Sequence, residues 1–311
     1  MNPRHLQETA LRYFQEVARC GSISQAASNL HVATSAISRQ ISGLEENLGM
    51  ALFERHARGM NLTAAGELLL AHARRSAMDA ERTLHDIAAL QGLQTGLIRI
   101  ASSEGLAAQL LPQCIAQFRE KHQGIRFQLD VLPPHRITML LLSGQIDIGI
   151  KFTQTAEKDI KTLFRRDAPV MALAVPGHPV TRTERISLKS LLAHPLALPG
   201  PDTTVRQMMD VACSAQNLSL DPVFSSNHMQ SLHQFALSGA GVTVSALLSA
   251  RHLIEQGLLQ ASFIHERGLL NRQIEVQALA GRRLPSIVRR FLDELLPQLE
   301  IDPQALPKQQ R

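Results

Sequence analysis

The sequence predicts an α + α/β protein: an N-terminal winged helix-turn-helix, a long linker helix, and a C-terminal α/β unit in two lobes. Three observations carry this. Residues 22–48 read as two helices around a short turn, and the second helix has two dissimilar faces. Residues 63–91 keep helical periodicity without a proline. From Leu97 onward, short apolar runs alternate with helical patterns, the texture of an α/β domain. A chain of 311 residues is long enough for this division. The expected units are 1–62, 63–95 and 96–311.

Leu11, Phe14, Val17 and Ala18 form the apolar stripe of a first helix ending near Gly21. Ser22 or Ser24 caps a second helix over 25–30, His31-Val32-Ala33 is the turn, and Thr34 caps the third helix. At 100° per residue, Ile37, Ile41, Leu44 and Leu48 share the core side of that helix. Ser35, Ser38, Arg39 and Ser42 lie opposite. The acids Glu45 and Glu46 are confined to the C-terminal half. The N-terminal half can therefore approach a polyanion, as a recognition helix does. Residues 51–53 and 60–62 read as two short strands, whose ribbon carries Arg55 and Arg58 where a wing would meet phosphate or a minor groove.

Charge placement matters more than its total. The net charge is +5, yet residues 1–95 contain nine Arg, no Lys and nine acids. A DNA reading must rest on where Arg39, Arg55 and Arg58 sit. Residues 63–91 span roughly 40 Å as a helix. Leu69, Ala73, Ser76, Ala80, Leu84, Ile87 and Leu90 recur at near-heptad steps along it, which favours a partner chain. A dimer sets two reading heads about one DNA turn apart and multiplies weak discrimination. Gln94-Thr95-Gly96 is the expected hinge.

Beyond the hinge, strands are expected at 97–101, 125–132, 145–150, 170–175, 195–199, 223–226, 241–245 and 274–280. Helices are expected at 106–121, 136–142, 205–216, 229–237 and 286–296. Lobe I takes about 97–163 plus 270–296, and lobe II about 164–268. Small molecules bind in the crevice at the carboxyl ends of such strands. Ser102, Ser103, Lys151, Thr203, Thr204 and Asn227 fall at strand-to-helix junctions facing it. Any one of them is more often a helix cap or a surface charge, but their convergence strengthens the set.

Other classes find little support. Cys20, Cys114 and Cys213 have no CxxC or Cys/His spacing, which suits reduced thiols in the cytoplasm. The N-terminus opens on Arg4, Glu8 and Arg12, and no apolar run nears the roughly 18 residues of a membrane span. No HExxH, GxSxG, P-loop or dinucleotide fingerprint is present, so no enzyme activity, catalytic residue, metal or cofactor is expected.

The stretch FQEVARCGSISQAASNLHVATSAISRQISGLEENLGMALFER (14–55), followed by Leu62-Thr63-Ala64-Ala65-Gly66, closely resembles the LysR-type transcriptional regulators. Looser resemblance runs through Asp147-Ile148-Gly149-Ile150, Pro176-Gly177-His178-Pro179 and Ser238-Gly239-Ala240-Gly241-Val242. It implies a winged helix-turn-helix, a linker-helix dimer assembling further into a tetramer, and an effector domain similar to periplasmic solute-binding proteins. The implied partners are double-stranded promoter DNA and a small effector. Lys151 and the positive excess in the C-terminal part point to an anionic effector, a small carboxylate for example. RNA polymerase is a further candidate partner. Family DNA contacts carry over onto Thr34, Ser35, Ser38, Arg39 and Arg55, and effector contacts onto Ser102, Ser103, Lys151, Thr203 and Asn227. Where the family often has Gln-Pro, this chain has Thr34-Ser35, which replaces a bidentate adenine reader with single hydroxyls.

Overall fold

The computed structural model describes residues 6–56, 59–90, 95–153, 155, 157–270 and 272–300. Its N-terminal unit contains α1 (Thr9–Cys20), α2 (Ile23–Leu30), α3 (Thr34–Leu48), β1 (Phe53–His56) and β2 (Gly59–Leu62). Phe14, Val17, Ala26, Ile37, Ile41 and Leu52 close its core. Ser22 caps α2 by accepting the Gln25 N–H at 3.3 Å. His31 makes the turn in the left-handed conformation. Thr34 is not a cap: Ala33 holds the N-cap position with no side-chain bond, and Thr34 is already helical. The stripe Ile37, Ile41, Leu44 fades outward, leaving Leu48 exposed. The wing strands pair antiparallel from Phe53–Leu62 to His56–Gly59.

Helix α4 (Ala64–Leu90) follows, capped by Thr63, whose Oγ1 accepts the Gly66 N–H at 3.0 Å. Gly66 is where this helix crosses the wing. A Cβ there would lie 2.2 Å from the Leu52 carbonyl oxygen and 2.8 Å from Leu62 Cδ2. Backbone cannot yield as a side-chain tip can, so Gly66→Ala should cost about 1–3 kcal/mol. The check is a lowered melting temperature for the N-terminal unit, with loss of DNA binding on warming.

Part of the seam expected to meet a partner is used within the chain. Leu69, Leu70 and Ala73 join the N-terminal core, and Met78 and Ala80 are also buried. Further along, α4 lies on lobe I. Arg75 and Met78 sit against the turn at Gly144, and Asp86 accepts the Ser286 hydroxyl at 3.0 Å. Glu81 accepts from Arg99 at 2.8 Å. The chain of contacts continues inward, because Asp147 accepts the Arg99 N–H at 2.8 Å and an Arg282 N–H at 2.9 Å. Leu68 of α4 is 75% exposed.

Lobe I begins with β3 (Gly96–Ser102), α5 (Glu104–Ala107), α6 (Leu110–Lys121), β4 (Ile125–Val131), α7 (Pro134–Leu142), β5 (Ile148–Thr153) and β6 (Ile160–Asp167). Lobe II holds β7 (Val170–Ala174), β8 (Arg185–Ile186), α8 (Leu188–Leu191), β9 (Leu196–Pro199), α9 (Thr204–Ala215) and β10 (Phe224–Ser226). It continues through α10 (Met229–Leu237), β11 (Val242–Ala246), α11 (Leu247–Glu255), β12 (Gln260–Ile264) and α12 (Arg267–Leu270). The chain then returns to lobe I with β13 (Gln273–Leu279) and α13 (Ser286–Leu299). The sheet orders are β4-β3-β5-β13-β6 in lobe I and β10-β9-β11-β7-β12-β8 in lobe II. In lobe I, β3 runs parallel to β4 and β5, while returning β13 is antiparallel to β5 and β6. Phe118, Phe127 and Phe291 meet edge to face at 5.0–5.9 Å beneath this sheet, each pair contributing roughly 0.5–1.5 kcal/mol beyond burial. Among the described residues, no helix is long and apolar enough to cross a membrane.

Several expectations need correction. The helix expected over 106–121 is two helices, α5 and α6. Strands β6, β8 and β12 and helices α8, α11 and α12 lie outside the expected set. Strand β6 moves the lobe crossing from 163/164 to residues 168–169. It is an edge strand carrying Lys161, Arg165 and Arg166, so it lacks the apolar run of a central strand. The two crossings are clasped together: the Ala168 N–H donates to the Arg272 carbonyl at 2.7 Å, and Gln273 Nε2 donates to Asp167 at 3.2 Å.

Candidate functional site

Two regions collect the predicted site residues. On the N-terminal unit, Thr34, Ser35, Arg39 and Ser42 are exposed on the outer face of α3, with Ser38 half-buried among them. Ile37 and Ile41, on the inner face, fix the helix on its core. Arg39 makes no hydrogen bond or ion pair with another described residue, so its guanidinium is available. Arg55 lies in β1, described by its backbone alone, and Arg58 lies outside the described residues.

The second region is a cleft of about 580 Å³ between the lobes. The carboxyl ends of β3, β4, β9 and β10 converge on it, where open α/β sheets bind ligands. Ser103, Thr203, Thr204 and Asn227 line it as expected. Ser103 presents a buried hydroxyl with no hydrogen-bond partner among the described residues. Thr203 is engaged already, donating to Gly200 at 2.8 Å and accepting from Arg206 at 3.3 Å as the cap of α9.

Ser102 and Lys151 do not line the cleft. Ser102 is fully buried and donates to the Ser103 carbonyl at 3.0 Å. Lys151 lies inside β5, which runs on to Thr153. Side chains alternate across a strand. Phe152 therefore reaches the cleft, while Lys151 turns with Gly149 toward α7. There its ammonium, 1% exposed, donates to Glu157 Oε2 and Thr138 Oγ1, each at 2.5 Å. Thr138 donates to the other Glu157 oxygen at 2.8 Å. Burial pushes the Glu157 carboxyl upward. Hydrogen bonds from Lys151 and Thr138 and the lysine charge outweigh this and hold it below its ordinary value.

The cation of the cleft is Arg272, at the second lobe crossing. It is 5% exposed, its CZ carbon stands 3.8 Å over the centre of the Phe152 ring, and Nε and Nη1 have no partner among the described residues. Burial without a carboxylate pushes its pKa down to about 9, which still leaves it cationic at neutral pH. Two orphaned donors on a buried charge are expensive unless something else supplies the acceptor.

Residues 9–67 match the bacterial regulatory helix-turn-helix protein of the lysR family, and residues 91–300 match the LysR substrate binding domain. The chain belongs to the LysR-type transcriptional regulators. It is a DNA-binding regulator with an effector-binding domain. Curated relatives include the RuBisCO operon transcriptional regulator of Allochromatium vinosum, 27% identical over 81% of this chain and 82% of that protein. The SDS degradation transcriptional activation protein of a Pseudomonas species is 30% identical over 68% of this chain and 71% of its own length. Among solved structures, full-length OxyR from Pseudomonas aeruginosa superposes with a TM-score of 0.68 at 22% identity, covering 94% of this chain and 98% of that one. Full-length CbnR complexed with its target DNA gives 0.57 at 21% identity, covering 96% and 100%.

For this LysR-type regulator, sequence reasoning missed Arg272, Phe152, Glu104 and Asp202 as cleft residues. One signal was available for Arg272. It is the last cation before the strand expected to return to lobe I, and so it stands at a crossing.

Proposed function

We propose that this regulator binds promoter DNA sequence-specifically and that a small anion, a carboxylate in the simplest case, sets its DNA contacts from between the lobes. The observation that carries the effector reading is Arg272, a buried cation in the cleft lining, two of whose donors have no partner among the described residues. Because its own carbonyl accepts from the other crossing strand, an anion there acts directly on the segment about which the lobes move. Thr34, Ser35, Ser38, Arg39, Ser42, Arg55 and Arg58 are the proposed DNA contacts. Ser103, Thr203, Thr204 and Asn227 remain proposed effector contacts, with Arg272 taking the part assigned to Lys151. The chain acts as a homodimer through α4, and as a tetramer when dimers pair. It works in the cytoplasm, where its operator and RNA polymerase are, and it catalyses no reaction.

The test uses Arg272→Met in the full chain. Charge-assisted hydrogen bonds contribute about 1.5–3 kcal/mol, so stabilisation by small carboxylates should weaken roughly 10- to 100-fold. Thermal stability without added anion should stay level or rise, because a desolvated charge has been removed. Equal responses of the two proteins to every carboxylate would overturn the effector reading. Failure of the wild-type chain to retard its own upstream DNA at low salt would overturn the DNA reading.

A further inference from the structure

Resting on that reading of the cleft, we infer that the effector carries a single carboxylate and a hydrogen-bond donor, as a hydroxy- or amino-substituted monocarboxylate does, and that Glu104 and Asp202 exclude dianions. The charged residues lining the cleft are Arg272, Glu104 and Asp202, with His228 beside them. One guanidinium against two carboxylates leaves a formal charge of −1 with His228 neutral. Arg272 can neutralise one anionic group. A second negative charge would face Glu104 and Asp202 with no further cation among the described lining residues. Lys151, the other buried cation at this end of lobe I, is held by Glu157 on the far face of β5.

The positions for an anion are also limited by what Glu104 already does. It projects from lobe I, and its Oε1 accepts the Met229 N–H of lobe II at 2.6 Å. His228 Nε2 lies 3.8 Å from the same oxygen. Glu104 therefore occupies the start of α10, a helix end that would otherwise attract an effector's anionic group. The Thr203 hydroxyl at the start of α9 is engaged within its own turn. What remains for a carboxylate is Arg272, with the Ser103 hydroxyl, unpartnered among the described residues, in the same lining. The other Glu104 oxygen has no partner among the described residues, and Asp202 is exposed. Carboxylates only accept hydrogen bonds. The rest of the effector is best matched to them when it carries a hydroxyl or an ammonium.

A three-carbon series tests this, using NMR titration and thermal shift on the full chain: propionate, lactate, alanine and malonate, with sulfate, a dianion at neutral pH, beside them. Lactate and alanine should bind more tightly than propionate. Malonate and sulfate should bind at least about tenfold more weakly than lactate. In the double variant Glu104→Gln with Asp202→Asn, malonate should gain on lactate. The amide oxygen that replaces the Glu104 carboxylate still offers an acceptor to the Met229 N–H, so the contact between the lobes is kept. Malonate or sulfate binding more tightly than propionate to the wild type would overturn the charge selection while leaving an Arg272-dependent cleft intact. Binding that Arg272→Met leaves unchanged, or no binding by any of the five, would overturn the cleft reading together with this one.

Discussion

Arg39→Ala is expected to abolish operator binding at physiological salt while leaving the oligomer intact. Arg39 is exposed at the middle of the outer face of α3 and free of partners among the described residues. The surrounding contacts are short hydroxyls, each able to make one modest bond. An arginine on a base edge or phosphate is worth about 1–3 kcal/mol, and a symmetric dimer loses it twice. The operator Kd should therefore rise by roughly 30-fold to more than 10⁴-fold. With nine Arg against nine acids over residues 1–95, the unit has no general positive field to compensate. Fluorescence anisotropy across a salt series, with sedimentation velocity for the assembly, reads both arms. Arg39→Lys separates the possible roles, since lysine keeps a phosphate contact but not a bidentate base contact. An unchanged Kd for Arg39→Ala would mean that this face does not meet DNA.

Replacing Glu157 with Ala should destabilise lobe I more than any change on the cleft wall. Glu157 is the acceptor of a lysine that is 1% exposed. Its removal leaves an ammonium in the interior with the Thr138 hydroxyl at 2.5 Å and the Pro134 carbonyl at 3.5 Å. Breaking a buried pair from one side costs about 3–5 kcal/mol. Lys151→Met should cost less, because the charge itself is removed and Glu157 is partly open to solvent. Chemical denaturation of the three proteins gives this order directly, and equal midpoints for Glu157→Ala and wild type would refute it. The pH dependence has a defined sign. The folded-state pKa of Glu157 lies below its unfolded value. Its stabilisation is thus fully present above the ordinary carboxylate pKa and is lost as pH falls through the lowered one. The acid limb of the stability profile should flatten in Glu157→Ala.

How much is legible from sequence varies with how local the cause is. The helix-turn-helix is readable within a few residues, because caps, the turn at His31 and the Ile37–Ile41 stripe are short-range facts. The four lining residues Ser103, Thr203, Thr204 and Asn227 follow from strand-to-helix junctions, which sequence pattern marks. Lys151 misleads because the apolar run of its strand stops at Ile150. Three further residues of β5 put the lysine inside an alternating pattern, and alternation sends it to the face away from the cleft. Strand β6 is hidden by the charges that protect an edge. Arg272 is invisible for a different reason. What distinguishes it from a surface arginine is burial with no acceptor among the described residues for two of its nitrogens, which only the assembled lobes create.

The contacts of α4 have a practical meaning for dissecting the chain. The sequence divides neatly at Gln94-Thr95-Gly96, and the effector domain would conventionally be cut there. Yet Arg99 finds its carboxylate partner in Glu81, and the Ser286 hydroxyl at the start of α13 finds its acceptor in Asp86. A fragment starting at the hinge would expose the patch of lobe I that Arg75, Met78 and Glu81 cover. An independently stable C-terminal piece is therefore expected to start within the linker helix, before Arg75, so that its folding unit overlaps the segment that joins the two halves of the regulator.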